Sequence, residues 1–350
     1  MVSLAGRNTP IGIDAAGMRV TAAQLCRRGG GWTLSAVARY TRKRPGAPLD
    51  AEEIQRLRDV LRRQAFVGRD VVLAVPGSAL LAALLQAPPP TSAAPISAIV
   101  RNELSQAYDV VPNAIEASYW YLPQSDGPGQ DCRVMAVGCT HEKAEAMLDL
   151  FEEAGLRVKG LDSKAWAIAR GLSGNEAPGG MVATPDVEWE STVLACLCDG
   201  EVRYERTVSD MGLKDIFKIL TDVDDVDEEV CQYVLGNLDI SEGAYGEPGS
   251  TGDVSVFRPR LVSQIEKLTA DLQESLAYVV RQFPAEPICR LSLVGGAATI
   301  PGLASHLNEK LQFDVPVLGV ASAAVADGDT VDADLVPAVG LALYGEVIAA

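Results

Sequence analysis

Residues 11–25 and 191–208 make the same move twice, and that repetition limits what the chain can fold into. In the first, Ile11, Gly12, Ile13 and Asp14 run extended into Ala15, Ala16 and Gly17, and Val20, Ala22 and Leu25 leave in loose alternation, the pattern of a β-hairpin bent at a glycine. In the second, Ser191–Leu197 and Glu201–Val208 flank Asp199 and Gly200, a dipeptide that favours a two-residue hairpin turn. The chain has 350 residues, which at roughly 100–200 residues per domain allows two or three compact units. The chain thus repeats its opening move.

Between the hairpins, Ile54, Leu57, Val60 and Leu61 share a helical face over residues 51–66, and Val71–Val75 forms a short apolar strand. The stretch Gln86–Ser97 carries four prolines, which remove backbone donors and bias their predecessors away from helix, so it marks a boundary. Beyond it the pattern predicts a helix over Ile96–Tyr108, strands near Ala114–Leu122 and Val134–Gly138, and a helix from Glu142 that Gly155 can cap. Val158–Leu161 leads into a helix holding Ala165, Ile168 and Ala169, and residues 171–180 read as a second linker. After the second hairpin come helices near Leu213–Leu220 and Glu228–Leu238. A Gly, Ser and Pro-rich excursion over 241–253 follows, then a long helix over Leu261–Phe283 whose Leu261, Ile265, Leu268, Leu272, Leu276, Val279 and Phe283 make a wide buried stripe. Leu291–Val294 is a strand running into Gly295-Gly296, a helix starts near Leu303, and Val336, Val339 and Leu341 sit in a final helix.

Composition removes several functions. Acidic residues outnumber basic ones 47 to 30, a net charge of -17, whereas a nucleic-acid surface needs clustered Lys and Arg. The local exception, Arg39, Arg42, Lys43 and Arg44 followed by Arg56, Arg58, Arg62 and Arg63, reads as a solvated face or as a contact for anionic lipid or an acidic partner. The seven cysteines form no C-x-x-C pair and only two histidines exist, so neither a metal site nor a Ser-His-Asp constellation is proposed. Cys196 and Cys198 project from one face of a strand and read as packing residues. No run approaches the roughly 20 apolar residues that cross a bilayer. With an odd cysteine count and no signal peptide, the expected location is cytoplasmic.

The order of these parts, with Gly12-Ile13-Asp14 and Gly17, Tyr121-Leu122-Pro123 in the inserted unit, Gly295-Gly296 before Pro301-Gly302-Leu303, and the terminal Val339-Gly340-Leu341-Ala342-Leu343, resembles the actin, Hsp70 and FtsA superfamily. Within it the chain is similar to the PilM family of type IV pilus assembly factors. The resemblance implies an α/β, actin-like two-lobed fold of duplicated ribonuclease H-like sheets with a small inserted α+β subdomain. It implies a first lobe over 1–86, the inserted unit over 87–160, a return to the first lobe over 161–178, a second lobe over 179–325 with a helical part at about 222–288, and a C-terminal helix in 326–350 packing back on the first lobe.

The resemblance also implies a site for ATP with Mg2+. Two hairpin turns would offer amides to the phosphates while a carboxylate in each, Asp14 and Asp186, positions the hydrated metal. Gly17, Arg19 as the cation, Gly295 and Gly296 would line the nucleotide, and Glu229 would reach the ribose. The chain departs from the pattern at three places. Glu188, followed by Trp189, stands where a glycine of the second turn belongs, Arg19 stands where a lysine does, and Gln232 replaces the lysine that follows Glu229. A carboxylate and an indole would set repulsion and bulk against a triphosphate, so reduced or absent affinity is expected. Read without the resemblance, Asp14 is more readily a plain hairpin residue and Gly295-Gly296 a strand-to-helix turn. The acidic run from Asp222 to Glu229 suits a helix N-terminus better than a calcium loop.

The expected function is a scaffold of a type IV pilus or related secretion-type assembly platform. It would bind the cytoplasmic tail of a PilN-type single-pass inner-membrane protein, beside Ala79–Leu85 and the helix near Ile99–Tyr108, and sit at the inner membrane through that partner. A homo-oligomer is compatible with it. The alternatives are an ATPase or small-molecule kinase with a working Mg-ATP site, which needs an intact second phosphate turn, and an FtsA-like polymer, which would want a C-terminal membrane helix.

Overall fold

A computed structural model describes residues 7–28, 31–123, 132–174, 179–209, 211–224, 228–240, 257–320 and 332–346. Two sheets follow one plan. In the first, β1 (Ile11–Asp14), β2 (Arg19–Arg28) and β3 (Gly31–Thr41) form an antiparallel meander, and β4 (Asp70–Ala74) and β8 (Arg157–Asp162) add in parallel, giving the order β3-β2-β1-β4-β8. In the second, β9 (Met181–Val187), β10 (Ser191–Cys198) and β11 (Glu201–Ser209) repeat the meander and β12 (Ile288–Leu291) joins β9 in parallel. A remnant of a fifth strand lies alongside, where Leu291 and Leu293 donate to Asp314 and Pro316 carbonyls at 3.2 and 3.1 Å. The expected turn at Asp199-Gly200 is present, both residues taking positive φ (52° and 74°).

The third sheet draws the inserted unit differently from 87–160. β5 (Leu81–Ala87) pairs with β7 (Cys132–Thr140), which pairs with β6 (Ile115–Tyr121), and α2 (Ile96–Ala107) covers one face. The prolines after Gln86 therefore turn the chain inside the unit instead of opening it. At the other end α3 (His141–Glu153), capped by the Thr140 hydroxyl, sends Met147, Leu150 and Phe151 into the first-lobe core with α1 (Ala51–Arg63), and β8 is a first-lobe strand. The unit also braces the second lobe. The Trp120 indole donates to the Val202 carbonyl at 2.6 Å, and the Arg133 guanidinium lies 4.7 Å from the Phe283 ring centroid while donating to Gln282.

Between the lobes two helices cross. α9 (Val336–Ala342) lies on β1, β2 and β4, and α4 (Lys164–Gly171) packs on β10 and β11. Their approach depends on glycine: a Cβ at Gly340 would land inside the Ala167 carbonyl, and one at Gly12 inside the Ala338 carbonyl. The second lobe is completed by α5 (Leu213–Asp224), α6 (Glu228–Asn237), α7 (Arg258–Gln282) and α8 (Leu303–Leu311). The stripe residues of α7 and its C-cap Phe283 are all buried, as their spacing requires.

Much of the basic cluster is paired within the chain, although only Arg42 is buried. Arg42 forms a buried two-pronged pair with Glu53 at 2.7 and 3.1 Å, Arg39 reaches Asp332 and Asp334, and Arg56 stacks on Tyr40 at 4.6 Å. Lys43 and Arg44 pair with Glu52 and Asp50 at the acidic start of α1. Six of the seven cysteines are buried. Cys196 packs in the second-lobe core, where burial pushes its thiol up to about 12 and keeps it protonated and inert.

Candidate functional site

The two hairpin turns face each other across a cleft. Asp14 ends β1, and its Oδ1 accepts from the Ala16 amide at 3.3 Å, which shapes the first turn. Asp186 lies in β9 near its end, and Glu188 and Ser191 close the second turn by the Glu188 amide donating to the Ser191 carbonyl at 2.9 Å. Gly295-Gly296 forms the back wall, and α6 brings Leu235 and Gly236 to the rim. Gly295 has φ +74°, and a Cβ there would strike the Asp186 carboxylate, so glycine at this position makes room for an aspartate of the protein itself.

The centre of the cleft is filled from within. Lys164 opens α4 directly after its cap Ser163, whose Oγ accepts from the Trp166 amide at 3.3 Å. From there its Nζ lies 3.0 Å from Asp14 Oδ2 and 3.1 Å from Asp186 Oδ2, and it pairs with Glu188 Oε1 as well. Lys164 is 1% exposed, Asp186 2% and Glu188 4%, so water screens these charges little. Burial pulls the ammonium down, but the three carboxylates more than reverse it and hold Lys164 well above its ordinary value. Burial also pushes Asp186 and Glu188 up against the opposing pull of Lys164. Glu205 sits behind the same helix start. Its Oε1 accepts from the Ala165 amide at 3.2 Å, and burial pushes it up to about 7.

The second turn has two sides. On the far side from Gly295 is an apolar groove walled by α3 (Ala146, Met147, Leu150), by Pro48 and Leu49, and by Pro76 and Ala79. Glu188, Glu190 and Ser191 close one end of it, so Glu188 borders groove and cleft alike. Arg42 holds the groove's loop in place, donating to the Ala47 carbonyl at 2.6 Å and the Ala15 carbonyl at 3.3 Å.

This geometry can be set beside known proteins. The chain matches the family of type IV pilus assembly protein PilM over residues 12–343. It belongs to that family. The solved PilM-PilN type IV pilus biogenesis complex is similar to this PilM-family chain with a TM-score of 0.80 at 20% identity, over 97% of this chain and 99% of the other. EutJ, an ethanolamine utilization protein from Carboxydothermus hydrogenoformans, gives 0.53 at 15% identity over 98% and 91%. MreB5 of Spiroplasma citri bound to ADP gives 0.53 at 12% over 97% of each chain. At these identities the likeness is one of fold, and the fold is the actin-like two-lobed one. No curated protein is significantly similar to the chain in sequence.

Of the candidate residues, Asp14, Gly17, Arg19, Asp186, Gly295 and Gly296 all line this one cleft. Glu229 belongs to α6, and its side chain lies outside the described residues. Asp186, expected in the second turn, lies in strand β9; the turn is Glu188–Glu190. Trp189 does not obstruct the cleft: its indole packs on Phe217 at 4.8 Å and covers Gly46. In the groove Ala79 is in place, but the facing wall is α3 of the first lobe and not the helix near Ile99–Tyr108, which covers the third sheet instead. Sequence reasoning missed Lys164, Glu205 and Asp334. The signal for Lys164 was Glu188 itself, because a carboxylate in a closed turn requires a cation.

A phosphate-bound Mg2+ does not fit these residues. The carboxylates that would position the metal's water shell are spent on an ammonium, the Glu188 amide is used within its own turn, and a triphosphate would meet Asp14, Asp186 and Glu188 together. Among the described residues no group of carboxylates, histidines and cysteines is arranged to hold a metal ion as it stands.

Proposed function

We propose that this PilM-family protein is a scaffold of a type IV pilus or related secretion-type assembly platform. It binds the cytoplasmic tail of a PilN-type single-pass inner-membrane protein in the groove beside α3, with its nucleotide cleft retired. The observation that carries this reading is the pairing of an open apolar groove with a cleft whose carboxylates are already engaged by an ammonium of the chain. A groove lined by Met147, Leu150, Pro48 and Leu49 suits a short extended segment with alternate apolar side chains, and Met gives such a surface some adaptability. The solved PilM-PilN complex supports the choice of partner. No described helix is long and apolar enough to cross a membrane, which fits peripheral placement through that partner.

The test is a calorimetric titration with peptides from the tails of single-pass proteins encoded beside this one, using wild type and Ala146→Arg. Ala146 is exposed on α3, so the substitution blocks the groove without disturbing the core. One peptide is expected to bind, and Ala146→Arg to weaken it tenfold or more, about 1.4 kcal/mol. Absence of binding, or binding indifferent to Ala146→Arg, refutes the reading.

A further inference from the structure

A lysine buried to 1% exposure is uncommon, and this one touches carboxylates from both lobes: Asp14 from the first hairpin, Asp186 and Glu188 from the second. An ammonium out of water stays charged only if anions surround it, and three carboxylates out of water stay together only around a cation. Each half of the cluster therefore requires the other. The surroundings are fitted to the arrangement. Gly295 clears space for Asp186, the Ser191 hydroxyl donates to Glu188 Oε2 at 3.3 Å, and the Ser163 cap fixes where α4 begins.

We infer that Lys164 is the resident cation of the cleft, an ammonium built into the chain that ties the two hairpin turns together, so that the lobes stay closed with neither nucleotide nor divalent ion. This rests on the retired-cleft part of the proposed function and is independent of the groove and its partner. The competing role for a cleft lysine is to grip a phosphate. To do so Lys164 would have to leave three carboxylates, which would then face the phosphate with no counter-charge. Its backbone has no slack for such a swing either, since the next amide, Ala165, donates to Glu205 and Ala167 is pinned under Gly340. A second bridge, from Trp120 of the inserted unit to Val202 of the second lobe, also closes the body without any ligand.

The inference makes a prediction that runs against ordinary loss of function. Removing the ammonium leaves three carboxylates that had all reached one point, and a hydrated divalent ion is the natural replacement. Wild type, Lys164→Ala and the charge-balanced pair Lys164→Ala with Glu188→Ala are titrated with Mn2+ by electron paramagnetic resonance, with thermal unfolding followed in parallel. Wild type is expected to leave Mn2+ free, and neither Mn2+ nor Mg-ATP should raise its Tm. Lys164→Ala should melt lower, take up one Mn2+ and recover Tm as it does so. If that variant does not fold, the double variant answers: it keeps Asp14 and Asp186 and should bind one Mn2+ more weakly. Uptake of Mn2+ or a Tm rise with Mg-ATP in wild type overturns the inference, as does a Lys164→Ala protein with wild-type Tm and no Mn2+ bound. A double variant indifferent to Mn2+, where the single one fails to fold, overturns it too. Tail-peptide binding measured on the same wild-type sample separates this outcome from the fate of the partner reading.

Discussion

Glu205 offers a measurement in which one buried carboxylate reports on the helix that carries Lys164. Its Oε1 accepts from the Ala165 amide at the start of α4, where the amide and the helix dipole favour the ionised form, yet burial wins and pushes the group up to about 7. In the unfolded chain it titrates near an ordinary glutamate value, about 4.3. A raised carboxyl means that between those two values the folded state holds a proton that the unfolded state has lost. Stability from this group is therefore full at the acid end and declines as pH rises through the window, being gone above about pH 7.5. At 1.36 kcal/mol per pH unit the whole swing is about 3.5 kcal/mol, and the part falling between pH 5.5 and 8.5 is about 2 kcal/mol.

Glu205→Gln keeps the acceptor for Ala165 and removes the titration. Urea unfolding of wild type and variant at pH 5.5 and 8.5 isolates the effect, because every other ionisable group cancels in the difference. The variant's stability relative to wild type should rise by about 2 kcal/mol from the lower to the higher pH. A difference that does not change with pH would show that Glu205 is solvated, and that the start of α4 is not enclosed as described.

Three further perturbations follow from other contacts. Gly340→Ala should cost at least about 3 kcal/mol or abolish folding, because the added methyl enters the Ala167 carbonyl at the helix crossing, whereas Gly236→Ala, where a Cβ meets nothing, should be close to neutral; thermal unfolding compares them. Arg42→Ala strands buried Glu53 and should cost about 3–5 kcal/mol, and Arg42→Lys should recover little because it cannot make the two-pronged contact; chemical unfolding reads both. Trp120→Phe removes the donor to Val202 while keeping most of the ring packing on Trp166, so hydrogen exchange should quicken along Ile115–Tyr121 and Glu201–Tyr204 without loss of the fold.

What the sequence made legible were the parts written in local patterns. The first hairpin and the Asp199-Gly200 turn are set by alternation and by residues that tolerate positive φ, and α1 and α7 by apolar spacing. Strand β9 escaped because Pro185 sits inside it and argues for a turn; it is tolerated because regular pairing with β12 has ended at Ala183. The structure draws the unit differently from 87–160 for a similar reason, since four prolines mark a bend whether the bend joins two units or lies within one. The cleft residues were found through a resemblance in their order along the chain. Lys164 was not, because a lysine opening a helix is ordinarily a solvated one, and its partner Asp14 is 150 positions away. Burial of a charge is decided by what the fold places around it, and no local window contains that.

Glu188 is the residue on which groove and cleft depend together. One edge of its turn faces Lys164 and the other closes the groove beside α3. In a cleft filled by an exchangeable ligand, the position of that turn, and with it the shape of the groove, would follow ligand occupancy. On the proposed reading, an ammonium supplied by the chain itself fixes the turn once at folding, and the groove is formed before any tail arrives. A preformed groove spares the binding step the ordering of its own wall, which favours affinity for a short segment that has few contacts to offer. On that reading the same fixation removes the means by which nucleotide could have adjusted that affinity. On the proposed reading, Lys164 paired with Glu188 makes that wall permanent where an exchangeable ligand would make it switchable, which suits a scaffold that must hold its partner continuously.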